Sequence, residues 1–244
     1  MSEKAKDRKL EFVEGSSSDF AKQKLQSSVG FNIEGPGLGE VNRATLRRDP
    51  KHLVFTLSRY KFIAKMLTGK GYVCEIGCHE GTGSLIVADA VKHLTATDFQ
   101  PPVIEFCKQE YDKFDLNLTF KSCDALDGIP DSPEEGTKLY DAIYFLDVLE
   151  HIDPKQEHMI MNTVMFSLKK EGTLIVGIPS LESQQYASPT SKIQHINCKT
   201  KSGLKDFLLG YFENVFMFGM NDEVLHTGFD PMCQYIFGLC TGPK

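Results

Sequence analysis

Several absences narrow this 244-residue sequence before any motif is read. None of its seven cysteines (74, 78, 107, 123, 198, 233 and 240) stands in a CxxC pair. Their odd number, scattered through apolar runs, predicts reduced core thiols and a cytoplasmic protein. No apolar run approaches bilayer length, Ala142–Leu146 being typical of the longest, so no membrane association is expected. The start, MSEKAKDRKLEFVEG, is charged and lacks the apolar stretch of a leader, so no signal peptide is expected. Basic residues are not in excess: the net charge is −6, which argues against a protein living on bulk nucleic-acid phosphate. There is no internal repeat and no low-complexity tract.

What is present is ordinary globular material, 41% hydrophobic and 25% charged, long enough for one large domain with a substantial core. Residues 1–30 are polar and serine-containing and read as a loosely docked arm. Residues 31–50 carry glycine and proline punctuators from 35 to 39 and read as a loop. In 52–67, Leu53, Leu57, Tyr60, Ala64 and Leu67 recur at helical spacing. From residue 68 onward short apolar runs alternate with helical patterns. Strands are expected at 72–76, 93–97, 118–122, 140–146 and 173–178, and helices at 82–92, 101–113, 154–169 (with Asp153 as its cap) and 201–209. Two last strands, 214–220 and 232–239, have no convincing helix between them. Alternation predicts a parallel sheet with right-handed crossovers, and the final pair an antiparallel hairpin at its edge.

The segment VCEIGCHEGTG, 73–83, follows a strand and opens a helix. Gly77 allows a sharp turn, and Gly81 and Gly83 allow backbone to approach a ligand; the alternative is a plain tight turn. His79 stands where a dinucleotide motif would have its second glycine. Glu75 ends the strand with a carboxylate, which suits an ammonium better than a phosphate. Asp98 ends the next strand 21 residues after Gly77, where an acid can accept both hydroxyls of a ribose or, alternatively, cap the following helix. Phe99 could cover an adenine face or simply pack. Asp124 follows the third strand, where an acid could meet an adenine amino group.

This arrangement resembles the class I S-adenosylmethionine-dependent methyltransferases. The landmarks are ExGxxxGxG at 75–83, Asp98, Asp124 and YDAIYFLDVLEHI at 140–152, the last resembling a DxLEH subset with many small-molecule O- and N-methyltransferases. The resemblance spans roughly 70–240. His79 is the departure, where the family commonly has glycine, and it bears on the local loop shape. The resemblance implies a Rossmann-like, seven-stranded, mostly parallel sheet with an antiparallel C-terminal hairpin. It also implies an N-terminal lid at 31–67 over a methyltransferase domain at 68–244. It implies S-adenosylmethionine as cofactor, with Glu75 orienting the methionine ammonium through the loop, and Gly77, Cys78 and Gly81 beside the methionine part. Asp98 would bind the ribose, Phe99, Cys123, Asp124 and Ala125 would line the adenine, and Asp147 would lie beside the sulfonium.

Ligands of open parallel sheets bind beyond the carboxyl ends of the strands. That rule selects DVLEHI, the loop 179–199 and the loop 221–231, which contain His151, His195 and His226. A hydroxyl acceptor needs alignment and a base, and histidine suits that task near neutral pH. His195 is the first candidate, followed by His151 and His226; each could equally be structural. Asp147, Glu150, His151 and His195 could instead converge on a divalent metal such as magnesium or manganese. ExxEH with a later histidine resembles the metal site of plant small-RNA 2′-O-methyltransferases and recurs in ubiquinone-pathway O-methyltransferases, although Asp stands first here and many DxLEH enzymes use no metal. The expected acceptor is a small polar metabolite, foremost a sugar or nucleotide-linked sugar methylated on oxygen. The alternatives are N-methylation of a small amine or amino sugar, metal-dependent RNA 2′-O-methylation, and a non-catalytic cofactor-binding subunit. The sequence does not reveal the oligomeric state.

Overall fold

The first four strands of the described residues are short because glycine or aspartate follows each apolar run, and the amphipathic stretches between them become the covering helices. The computed structural model describes residues 36–244, so the expected 1–30 arm and the first residues of the 31–67 segment lie outside the described residues. The chain runs α1 (Glu40–Arg48), α2 (Pro50–Leu67), β1 (Tyr72–Ile76), α3 (Thr82–Ala88), β2 (His93–Asp98), α4 (Pro101–Tyr111), β3 (Leu118–Ser122) and β4 (Tyr140–Leu146). It continues α5 (Glu157–Ser167), β5 (Leu168–Pro179), α6 (Pro189–Gln194), α7 (Lys201–Leu209), β6 (Phe212–Asn221), β7 (Val224–His226) and β8 (Tyr235–Pro243). Single 3-10 turns lie at Leu149–His151, Glu182–Tyr186 and Asp230–Met232.

The eight strands of the described residues form one sheet in the order β3-β2-β1-β4-β5-β8-β6-β7. β1 to β5 are mutually parallel, β8 runs antiparallel between β5 and β6, and β7 adds an antiparallel edge. The mostly parallel sheet with an antiparallel C-terminal pair is as the sequence indicated. The eighth strand is an addition: Val224–His226 forms a short ladder on β6, from Asn221↔Val224 to Gly219↔His226. Strand order reverses between β1 and β4, the position at which doubly wound sheets open a crevice. β4 is an unbroken apolar run from Ala142 because helices cover both its faces. Tyr144 belongs to the core with Leu67, Val73 and Leu94, while Ile143 and Phe145 belong to the core with Ile160 and Val176.

Several local expectations need correction: the helix expected at 82–92 ends at Ala88, and the last strand, expected from 232, begins at Tyr235 after a 3-10 turn. Residues 40–48 are helical rather than loop, although α1 buries none of its residues. Its first turn is held from outside, as described below. The helix expected at 154–169 is shorter at both ends. Asp153 accepts a hydrogen bond from Lys155 N (2.8 Å) in a preceding turn, and Leu168 already pairs with Tyr140 as the start of β5. All seven cysteines are free, five of them buried. No helix among the described residues is long and apolar enough to cross a membrane.

Candidate active site

The loop after β1 owes its shape to two glycines and one histidine in the left-handed region, where side chains are disfavoured. Gly77 has φ of 80°, and a Cβ there would meet Val148 at 2.4 Å. Gly81 has φ of 72°, and its Cβ would meet the Phe120 ring at 2.7 Å. His79 takes φ of 47°, adopting the turn that glycine commonly supplies. Its backbone N–H donates to Asp98 Oδ2 (3.0 Å) while Gln100 N donates to Oδ1 (3.0 Å). Asp98 is thus a buried carboxylate fixed at the end of β2 with lone pairs to spare.

Glu75 is buried at the end of β1, and Ser84 donates a hydrogen bond to its Oε2. Burial pushes its carboxyl up to about 7, partly offset by the Ser84 hydroxyl. Beyond β3, Asp124 is exposed and folds a turn by accepting from Leu126 N (2.9 Å). Cys123 N donates to Asp98 O (3.0 Å), Ala125 is buried and Phe99 is exposed. The N-terminal helices pack on the same loop. The buried Glu80 carboxylate accepts from Val41 N (2.9 Å) and Asn42 N (3.2 Å), capping α1, and Tyr60 of α2 rests against Gly83. Between helices and loop lies a cavity of about 270 Å³ lined by Asn42, His52, Tyr60, His79, Leu146 and Asp147, among others.

Asp147 leaves β4 with φ of 55°, and its carboxylate receives Nη1 of Arg59 at 2.8 and 2.6 Å. The following 3-10 turn places Glu150 inward and His151 outward. The Glu150 side chain is fully buried, and neither of its oxygens has a hydrogen-bond partner among the described residues. Burial and the nearby Asp147 push its carboxyl well above the usual range. Its backbone carbonyl accepts from Ile196 N (2.8 Å) and Asn197 N (3.0 Å), which draws the 179–199 loop over it. His151 Nδ1 lies 3.1 Å from Gln194 O, and His195 Nδ1 lies 2.9 Å from Gln184 Oε1. With those acceptors each Nδ1 carries the proton, which leaves both Nε2 lone pairs free. The two rings meet edge to face at 5.1 Å. Burial, then repulsion from His151, lowers the His195 pKa, so its imidazole is neutral near pH 7.

Residues 73–172 match a family described as a methyltransferase domain. Those residues form a methyltransferase domain, whose methyl donor is S-adenosylmethionine. Among solved structures, an N-methyltransferase, NodS, from Bradyrhizobium japonicum WM9 in complex with S-adenosyl-L-homocysteine is 16% identical with a TM-score of 0.60, covering 91% of this chain and 98% of that one. The PH0226 protein of Pyrococcus horikoshii OT3 is 17% identical with a TM-score of 0.62, over 85% of this chain and 100% of that one. The methyltransferase domain of bacterial CtHen1-C is 18% identical with a TM-score of 0.61, over 77% and 98% respectively. At these identities the likeness is one of fold. No curated protein matches the sequence.

In this methyltransferase the landmark residues Glu75, Gly77, Cys78, Gly81, Asp98, Asp124 and Asp147 all stand at or just beyond the carboxyl ends of β1 to β4. Glu150, His151 and His195 come together with one ligand atom each, all within 4.8 Å of one another, a set of O and N donors fit for a divalent cation. Asp147 is engaged by Arg59 and stands outside that set, unlike the four-residue grouping the sequence suggested. His226 does not join it either. Its Nε2 lies 2.6 Å from Asn221 Oδ1 and its Nδ1 accepts from Gly228 N (3.0 Å), so both nitrogens are used within its own hairpin. Sequence reasoning missed Arg59, Glu80 and Tyr235. A signal existed for the first: a cation one helical turn after Phe55, beside the apolar stripe of 52–67.

Proposed function

We propose that this methyltransferase transfers the S-adenosylmethionine methyl group to a hydroxyl of a small polar metabolite, foremost a sugar or a nucleotide-linked sugar. The observation that carries the reading is the Glu150–His151–His195 cluster beside Asp147, with two imidazole lone pairs directed away from their anchoring acceptors. Methyl transfer from a sulfonium needs an in-line nucleophile, held close and stripped of its proton. His195, neutral and fixed by Gln184, is the base; His151 sets its position from the side. Asp98 and Glu75 hold the cofactor, through the ribose hydroxyls and through the loop that meets the ammonium. Glycine-loop backbone and α2 close over the donor and exclude water, the lid role proposed for 31–67.

A second reading of the same cluster is favoured by the unpartnered Glu150 oxygens, because a fully buried carboxylate without a partner is costly. Glu150, His151 and His195 would hold a divalent cation, which when bound supplies Lewis acidity toward the acceptor hydroxyl. Their Nδ1 acceptors, Gln194 O and Gln184 Oε1, would then act as the outer supports that orient metal-bound imidazoles.

The test is transfer of labelled methyl from S-adenosylmethionine to a panel of sugars, sugar nucleotides, amino sugars, small amines and RNA, with and without a chelator. Labelled methyl ether on a sugar hydroxyl is expected. Labelling of amines alone, or of RNA alone, overturns the acceptor assignment. Binding of the cofactor with no transfer to any member favours a supporting subunit. Turnover that survives the chelator, with no manganese bound by equilibrium dialysis, removes the metal reading.

A further inference from the structure

Arg59 is the charged group that the reaction just described leaves without a task. Its guanidinium is clasped between two rings, 4.2 Å from the Phe55 centroid and 3.9 Å from that of Tyr235. Among the described residues only Nη1 is used, by Asp147. The side chain is 9% exposed, and its Nε is buried with no hydrogen-bond partner among the described residues. The hydroxyl of Tyr235, the first residue of β8, is likewise buried and unpartnered. With two rings packed on the guanidinium, its in-plane edge is what remains for a ligand. That edge is a fork of in-plane donors matched to carboxylate and phosphate. Burying such donors unmet is unfavourable, and a structural tie between α2 and β4 would need only the Asp147 contact.

We propose that Arg59 is a specificity-determining residue, binding an oxyanion of the acceptor, a carboxylate or a phosphate group carried near the methylated hydroxyl. This rests on the reading above, in which the acceptor lies over Asp147 and Glu150. It narrows that acceptor to acidic metabolites, sugar acids and sugar phosphates among them, and sets neutral sugars aside.

The test is calorimetric titration of the S-adenosylhomocysteine-loaded protein with three probes that differ at one position: glucose, glucuronate and glucose 6-phosphate. At least one charged probe is expected to bind tenfold or more tighter than glucose. Which charged probe gains separates a carboxylate from a phosphate. Arg59→Gln is expected to erase the preference, and Arg59→Lys to keep part of it as a point charge. Asp147→Asn, which frees the guanidinium, is expected to tighten the charged probe and serves where Arg59→Gln fails to fold. Equal binding of all three probes, no binding of either charged probe, or a preference that survives Arg59→Gln would each overturn the proposal. Failure of wild-type protein to bind S-adenosylhomocysteine would count against the broader reading instead, so the two failures are distinct.

Discussion

The loops after β1, β2 and β3 and the loops after β4, β5 and β6 project from the same edge of one sheet, yet their polar atoms are treated differently. On the first side three carboxylates find a donor nearby: Asp98 takes His79 N and Gln100 N, Asp124 takes Leu126 N, and Glu75 takes Ser84. On the second side polar groups are buried and left over. Of the seven buried side-chain nitrogens and oxygens without a partner among the described residues, five belong to Arg59, Glu150, Glu182 and Tyr235, which border these later loops. Native interiors rarely tolerate such atoms. Under the function proposed above, the first side holds the cofactor and is complete in itself, whereas the second receives the acceptor and is finished by what binds there.

If that contrast holds, substitutions on the two sides have separable effects. The largest is expected at His195. His195→Ala should lower kcat about a thousandfold while the dissociation constant for S-adenosylhomocysteine, read by calorimetry, moves less than about twofold. A parallel loss of cofactor affinity would break the division. Asp98→Ala should weaken S-adenosylhomocysteine about a hundredfold, the value of two or more charge-assisted hydrogen bonds. An unchanged affinity would remove Asp98 from the cofactor side.

Glu75 sharpens the comparison through pH. Its carboxyl is raised from the ordinary 4.5 to about 7 in the folded, ligand-free protein. Below pH 4.5 both folded and unfolded chains keep the proton. Between 4.5 and 7 the unfolded chain releases it first, so stability falls as pH rises and levels off above 7, a penalty on the order of 3 kcal/mol. Glu75→Gln should flatten that part of the Tm–pH curve and raise the ligand-free Tm at pH 8 by several degrees, roughly 2–4 °C per kcal/mol. The same change should weaken the cofactor about tenfold, since the loop loses its charge toward the ammonium. A Tm–pH curve identical to wild type would show that Glu75 ionises freely. The smallest effect is expected at His226: His226→Ala should change kcat less than about threefold and lower Tm only slightly, as befits a residue bonded within its own edge hairpin. A large loss of kcat would return it to the acceptor side.

The same division decides what could be read in advance. β1, β3, β4 and α7 were legible to the residue because periodicity and punctuation are local signals. Asp98 and the glycine loop were legible as strand-end features because each sits at a fixed distance from the end of an apolar run. α1 was not, since a helix that buries nothing has no apolar stripe, and its cap, Glu80, stands about 40 residues away. Arg59 was not, since its partner Asp147 is 88 residues along the chain. The end of α5 was misplaced because Leu168 answers to a cross-strand neighbour, Tyr140, rather than to the helix before it. His226 looked eligible because a sequence shows a histidine's presence but not whether both its nitrogens are already in use.

Glu80 belongs to the turn that follows β1, and its carboxylate grips the first backbone amides of a helix with no buried face of its own. Any rearrangement of that turn is therefore transmitted to Val41 and Asn42. The exchange rates of those two amide protons in deuterated solvent become a clock for the glycine loop, readable in unlabelled protein before any acceptor is known.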